Sequence, residues 1–153
     1  MKISVVIPTF NREEHLKNCL SSLLIQTKKP HEILIIDNSD NSYAKKVVNI
    51  FEEQFKLQNI SLYCFKNSKN SGAIARNLGA SKAKGDLIAF LDDDVLLDSN
   101  YYEEIEKVFL EHPDALGVHG YNKLVNKAYQ KMKNSFSESL LDKFTKFFMI
   151  SSY

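Results

Sequence analysis

The chain has 153 residues, 44% hydrophobic and 25% charged, with a formal net charge of +1. That balance fits a soluble globular domain large enough to bury a core and excludes a disordered or low-complexity chain. It also gives no long-range field for nucleic acid, which is not expected as a partner, and no apolar run approaches the length of a membrane span.

Ile3 to Ile7 reads as a buried strand stopped by Pro8. Asn11 with Glu14 three places on has the form of a helix N-cap, and the helix it opens carries Leu16, Cys19, Leu20, Leu23 and Leu24 on one face. Glu32 to Asp37 is a second buried strand ending in an acid, followed by a polar turn over 38–42. Ala44, Val47, Val48, Phe51 and Phe55 recur at helical spacing, and Ile60 to Phe65 is a third strand. A helix is predicted from about Ala73 to Ala83, then a buried strand over Asp86–Leu91. Asp98-Ser99-Asn100 caps a helix bearing Ile105, Val108 and Phe109; Pro113 stops it, and Ala115–Tyr121 is predicted as a further strand.

Strands alternating with helices predict an α/β fold, Rossmann-like, with a mostly parallel sheet and helices on both faces. Residues 1–125 are expected to form this domain, and 126–153 an amphipathic helical tail. In that tail Phe136, Leu140, Leu141, Phe144, Phe147 and Phe148 form one apolar stripe. The stripe suits packing or self-association, and its interleaved lysines also suit peripheral membrane contact. Cys19 and Cys64 lack metal-ligand spacing and read as buried thiols of a reducing compartment. The apolar run before Pro8 is too short for a secretory leader. The expected location is therefore the cytoplasm, including the inner face of the membrane.

The densest chemical signal is Leu87-Ile88-Ala89-Phe90-Leu91-Asp92-Asp93-Asp94, an apolar run ending in three carboxylates. Adjacent anions repel one another unless a cation neutralises them. Mg²⁺ or Mn²⁺ suits that position, because hard cations take carboxylate oxygens and keep sites open for phosphates. The carboxyl edge of a parallel sheet is where open α/β folds bind ligands. A solvated turn with a capping aspartate is the plainer alternative.

Four segments share one resemblance: Val5 to Arg12, Ile35 to Ser39, Asn70 to Gly79, and Phe90 to Asp94. In this order they resemble family 2 nucleotide-sugar glycosyltransferases with the A-type fold, over roughly residues 2–121. The resemblance implies inverting transfer of a sugar from a nucleoside-diphosphate donor to a saccharide or lipid-linked acceptor hydroxyl, in cell-surface polysaccharide or glycoconjugate synthesis. It implies that Pro8, Thr9, Asn11 and Asp37 hold base and ribose, with Asn38 standing where such enzymes often carry a second acid. That departure leaves UDP-, dTDP- and GDP-sugars open. Asn11 also has its capping explanation. Gly72 and Arg76 match the element over the diphosphate: glycine permits close backbone approach, and arginine offers a fork of donors. Asp92 and Asp94 match the two acids of the Asp-any-Asp motif, Asp92 at ribose or metal and Asp94 on the metal. Asp93 is the variable middle position.

Direct displacement needs a general base for the acceptor hydroxyl. Glu138 and Asp142 match no motif of the family, and neither is assigned. The acceptor half looks truncated. The alternative to an enzyme is thus a catalytically incomplete nucleotide-sugar-binding module or fragment.

Overall fold

The computed structural model describes residues 1–41 and 43–120. Two compact units make up the chain, Met1–Tyr102 and Glu103–Tyr153. The first runs β1 (Ile3–Thr9), α1 (Glu13–Leu24), β2 (Glu32–Asp37), α2 (Tyr43–Leu57), β3 (Ser61–Lys66), α3 (Gly72–Lys82) and β4 (Leu87–Phe90). The strands form one sheet in the order β3-β2-β1-β4, parallel at every pairing.

The near-continuous apolar runs of β1 and β2 are buried on both faces, as the centre of a parallel sheet requires. Their alternate residues feed two cores. Val5, Ile7, Ile33 and Ile35 pack with the apolar stripes of α1 and α2, including Leu16, Leu20, Val47 and Phe55. Val6, Leu34 and Ile36 face the other way, onto Ala75 and Leu78 of α3. The predicted helices on both faces are present, and each is placed by a period-3.6 stripe meeting a period-2 strand face.

At the amino ends of the strands, buried Glu32 acts as a clamp. It accepts hydrogen bonds from Ser4 Oγ (2.7 Å) and from the Lys84 amide (2.6 Å), while Gly85 N donates to Ser4 Oγ (2.8 Å). These bonds tie β1, β2 and the entry to β4 together, opposite the end where the acids gather.

Three expectations are corrected. Asn11 is not the cap of α1: Arg12 holds that position without a side-chain bond, and Asn11 sits at φ 52°. The sharp turn out of β1 needs a left-handed residue, which asparagine tolerates. The Asn11 side chain instead accepts from Asn41 Nδ2 at 3.0 Å. β4 is an edge strand rather than a fully buried one, with Ile88 and Phe90 41% and 52% exposed, because only β1 pairs with it among the described residues. Residues 115–120 form no strand. Gly117 and Gly120 weaken extended pairing, and Leu116 is exposed rather than packed.

α4 (Tyr101–Glu111) follows the acids, with Tyr102 buried in the larger core. In the second unit Lys107 pairs with Glu103 and Glu104 along the helix. The predicted strand's last residue, the aromatic stripe of the tail, Glu138 and Asp142 lie outside the described residues. No helix among the described residues is long and apolar enough to cross a membrane.

Candidate functional site

At the carboxyl ends of β1, β2 and β4 the chain forms a cleft of about 280 Å³ lined by Pro8, Thr9, Phe10, Arg12, Asn38, Asn70, Gly72, Arg76 and Asp92 to Asp94. Its size is near the lower end of ligand pockets, roughly 300–1,000 Å³. Pairing β1 beside β4 in register (Val6 opposite Phe90) brings the loop after Thr9 against the acids, more than eighty residues later in sequence.

The three aspartates face different ways. Asp93 is 4% exposed and points inward. Its Oδ2 accepts from Thr9 Oγ1 at 2.7 Å, and Thr9 in turn lies 2.5 Å from the Tyr43 hydroxyl. A carboxylate only accepts and Thr9 has one hydroxyl hydrogen, so Tyr43 donates to Thr9 and Thr9 to Asp93. Asp92 and Asp94 face outward, with side chains 59% and 47% exposed.

Two guanidiniums supply the positive charge that the acids require. Arg12 Nη1 reaches Asp94 Oδ2 at 2.9 Å and Asp93 Oδ1 at 3.3 Å, and Arg76 pairs with Asp92. Asp93 first, and Asp94 with it, hold the Arg12 guanidinium's pKa above its ordinary value. Arg76 rises from the first turns of α3, whose N-terminus borders the cleft, with Ser71 capping the Ile74 amide at 3.5 Å. A Cβ on Gly72 would sit 3.3 Å from Arg76 Nη1, so glycine leaves the guanidinium its space.

Of the residues singled out in the sequence, Pro8, Thr9, Asn38, Gly72, Arg76, Asp92 and Asp94 meet in this cleft. Asn11 and Asp37 do not line it. Asp37 is buried and engaged elsewhere: Oδ1 accepts from the Ser39 amide (3.0 Å) and the Ser39 hydroxyl, and Oδ2 from Lys66 Nζ (3.2 Å). Sequence reasoning missed Arg12, Phe10 and Asn70. Arg12 ends the Val5 to Arg12 segment, next to the asparagine that has the form of a cap. No pattern in sequence pairs it with acids so distant.

Among the described residues no three His, Cys, Asp or Glu side chains converge into a preformed metal cage. The donor set still suits Mg²⁺ or Mn²⁺, which take one or two carboxylates and complete their shell with water and phosphate. Asp92 and Asp94 offer two hard, solvent-facing carboxylates at one cleft.

Residues 4–152 match the model of Glycosyl transferase family 2. The chain belongs to that family. Within it, this chain is 31% identical over 150 residues to the poly(ribitol-phosphate) beta-N-acetylglucosaminyltransferase TarP of Staphylococcus aureus, covering 92% of this chain and 44% of TarP. Among solved structures, S. aureus TarS 1-349 in complex with UDP-GlcNAc is similar with a TM-score of 0.64 at 26% identity, covering 80% of this chain and 36% of that one. GalNAc-T7 with UDP, GalNAc and Mn²⁺ is similar with a TM-score of 0.54 at 32% identity, covering 66% and 19%. The family 2 chain described here spans less than half the length of the curated relatives it matches, from 16% to 44%. Its fold is the glycosyltransferase A-type fold expected from its motifs.

Beneath the cleft, Cys19 Sγ lies 3.8 Å from the Asp92 carbonyl oxygen. Burial first, then the Asp93, Asp94 and Asp92 charges, push the thiol from its ordinary 9.0 up to about 12. Burial raises Cys64, Tyr43 and Tyr102 in the same direction. These groups bind protons more tightly folded than unfolded. Their contribution to stability is complete below pH 9 and is lost as pH rises toward 12. The urea midpoint is expected to fall steadily above pH 9, and native Cys19 to resist thiol reagents at pH 8. A midpoint unchanged between pH 9 and 11, or fast labelling of Cys19 in the native protein, would contradict this.

Proposed function

We propose that this chain carries the donor-binding half of a metal-dependent, inverting glycosyltransferase. Its donor is a nucleoside-diphosphate sugar, and its acceptor a hydroxyl of a cell-surface polymer or lipid-linked saccharide. The observation that carries the reading is the convergence of Arg12, Arg76, the α3 N-terminus and two outward carboxylates on one cleft. The names of TarP and of the UDP-GlcNAc complex of TarS support the donor class and the acceptor chemistry.

The diphosphate lies over the N-terminus of α3, where backbone amides and the helix dipole favour anions. Arg76 and Arg12 turn from their carboxylates to the phosphate oxygens as those arrive. Gly72 lets the phosphates approach the backbone. Asp92 and Asp94 would hold a divalent cation, which when bound stabilises negative charge on the nucleoside-diphosphate leaving group. Asp93 stays with Thr9 and keeps the loop after β4 in place. Proton removal from the acceptor is assigned to no described residue.

Calorimetric titration of UDP, dTDP and GDP, each with Mn²⁺ and with EDTA, tests the reading. Metal-dependent binding of one of them supports it, and no binding of any opposes it. Arg76→Ala is expected to weaken the nucleoside diphosphate by about 10–100-fold, since charge-assisted bonds contribute ~1.5–3 kcal/mol. The corresponding nucleoside should change little, and equal losses for both would remove Arg76 from the phosphates.

A further inference from the structure

We propose that Tyr43, at the start of α2, is a positioning residue of the candidate cation site: through Thr9 it holds Asp93, and with it the flanking Asp92 and Asp94, against the loop that carries Arg12. The inference rests on the donor-site reading above. It adds a residue outside the cleft lining on which the direction of the two outward carboxylates depends.

Tyr43 is the first residue of α2. Its hydroxyl lies 2.5 Å from Thr9 Oγ1, whose hydrogen goes to Asp93 Oδ2 at 2.7 Å. Tyr43, Thr9 and Asp93 are all buried. Burial raises the Tyr43 pKa, and Thr9 and the Arg12 backbone amide offset part of that rise. A backbone amide only donates, so the phenol oxygen accepts from Arg12 while its own hydrogen goes to Thr9. One hydroxyl thus joins three segments: the start of α2, the end of β1 with the turn into α1, and the acids after β4. Asn41 repeats the brace two residues earlier. Its Oδ1 accepts from the Tyr43 amide at 3.1 Å, and its Nδ2 donates to Asn11 Oδ1 at 3.0 Å.

Without the phenol, the Thr9 hydroxyl is a rotor free to send its single hydrogen to another acceptor. The Tyr43 donation occupies the acceptor side of Thr9 and commits that hydrogen to Asp93. Hydrogen bonds in such a chain also polarise and strengthen one another. Asp93 is the middle acid, turned inward while its two neighbours face the solvent. Fixing Asp93 therefore fixes the direction of Asp92 and Asp94. A cation of the Mg²⁺ type demands near-ideal geometry from its carboxylates, so a small displacement of either one costs affinity. Groups behind metal ligands commonly matter for that reason. The phenol is where the packing of α2 reaches the acids.

The test reads the ratio of nucleotide affinities with Mn²⁺ and with EDTA, for whichever of UDP, dTDP and GDP binds the unaltered full chain. Tyr43→Phe removes only the hydroxyl. It is expected to lower that ratio by about fivefold, the scale of one net hydrogen bond, with the affinity in EDTA little changed. Thr9→Val cuts the same chain one link nearer the acids and should lower the ratio at least as much, and Tyr43→Phe should add nothing to it. Thr9→Ser keeps the hydroxyl and should preserve the ratio. Val47→Ala opens a cavity under the same helix and is the control, since it lowers the melting temperature without touching the chain of hydroxyls. A merely structural role of Tyr43 would move the melt but not the ratio. An unchanged ratio in folded Tyr43→Phe, or the same fall in Val47→Ala, overturns the proposal while leaving the donor site standing. If Tyr43→Phe does not fold, Thr9→Val and Thr9→Ser decide, and equal ratios in those two overturn it. Failure of all three nucleotides to bind the unaltered protein overturns both readings.

Discussion

Asp94→Asn should abolish metal-dependent nucleotide binding, by on the order of 100-fold or more, while the protein stays folded. Loss even of groups behind a metal ligand costs 10–100-fold, so removing a ligand's charge costs at least as much. The fold should tolerate the change because the Asp94 side chain is 47% exposed and its recorded partner is Arg12. An exposed ion pair contributes roughly 0–1 kcal/mol. Asp93→Asn is the contrasting variant. Asp93 is buried between Thr9 and Arg12, so its loss should lower stability by about 1–3 kcal/mol and weaken binding indirectly. Thermal melts beside calorimetry with Mn²⁺ and with EDTA separate the two roles. Undiminished Mn²⁺-dependent affinity in Asp94→Asn would remove that carboxylate from the cation site.

Gly79→Ala is expected to be the most damaging single-methyl change in the α3 interface. A Cβ on Gly79 would lie 2.2 Å from Val6 Cγ1 and 3.1 Å from Cγ2. Val6 is fully buried and β-branched in the centre of the sheet, so it cannot rotate clear. Helix and sheet must separate, at a cost of ~2 kcal/mol from overpacking. For a chain of this size that lowers Tm by about 4–8 °C. Adding Val6→Ala should restore part of the loss, because the two residues share one contact and their effects cannot add. Strict additivity in that cycle would mean that the close approach of α3 to β1 is not what Gly79 provides. The same change should weaken nucleotide binding, since α3 carries Gly72 and Arg76 at its other end.

Much of the first unit was legible in the sequence because its signals are local. Continuous apolar runs gave β1 and β2, helical stripes gave α1 and α2, and four ordered motifs gave the family and the general location of the cleft. Local signals also misled. The Asn11 to Glu14 pattern has the form of a cap, yet the backbone reversal after β1 needs Asn11 in the left-handed region, which removes it from the helix end. The run before Asp92 is apolar enough for a central strand, but strand burial depends on neighbours on both sides, and β4 has one among the described residues.

The order of amino acids alone carries the alternation of strands and helices, the family, and the residue types that gather at the sheet edge. Periodicity and motif spacing are properties of short stretches of chain. The pairing and direction of those side chains arise when the segments pack. Packing sets Arg12 against Asp94 across more than eighty residues, turns Asp93 inward onto Thr9, and engages Asp37 with Ser39 and Lys66 away from the cleft. It also gives the chain from Tyr43 through Thr9 to Asp93 its direction. The polarity of a hydrogen bond depends on what stands opposite each atom, and that is settled only when distant segments pack.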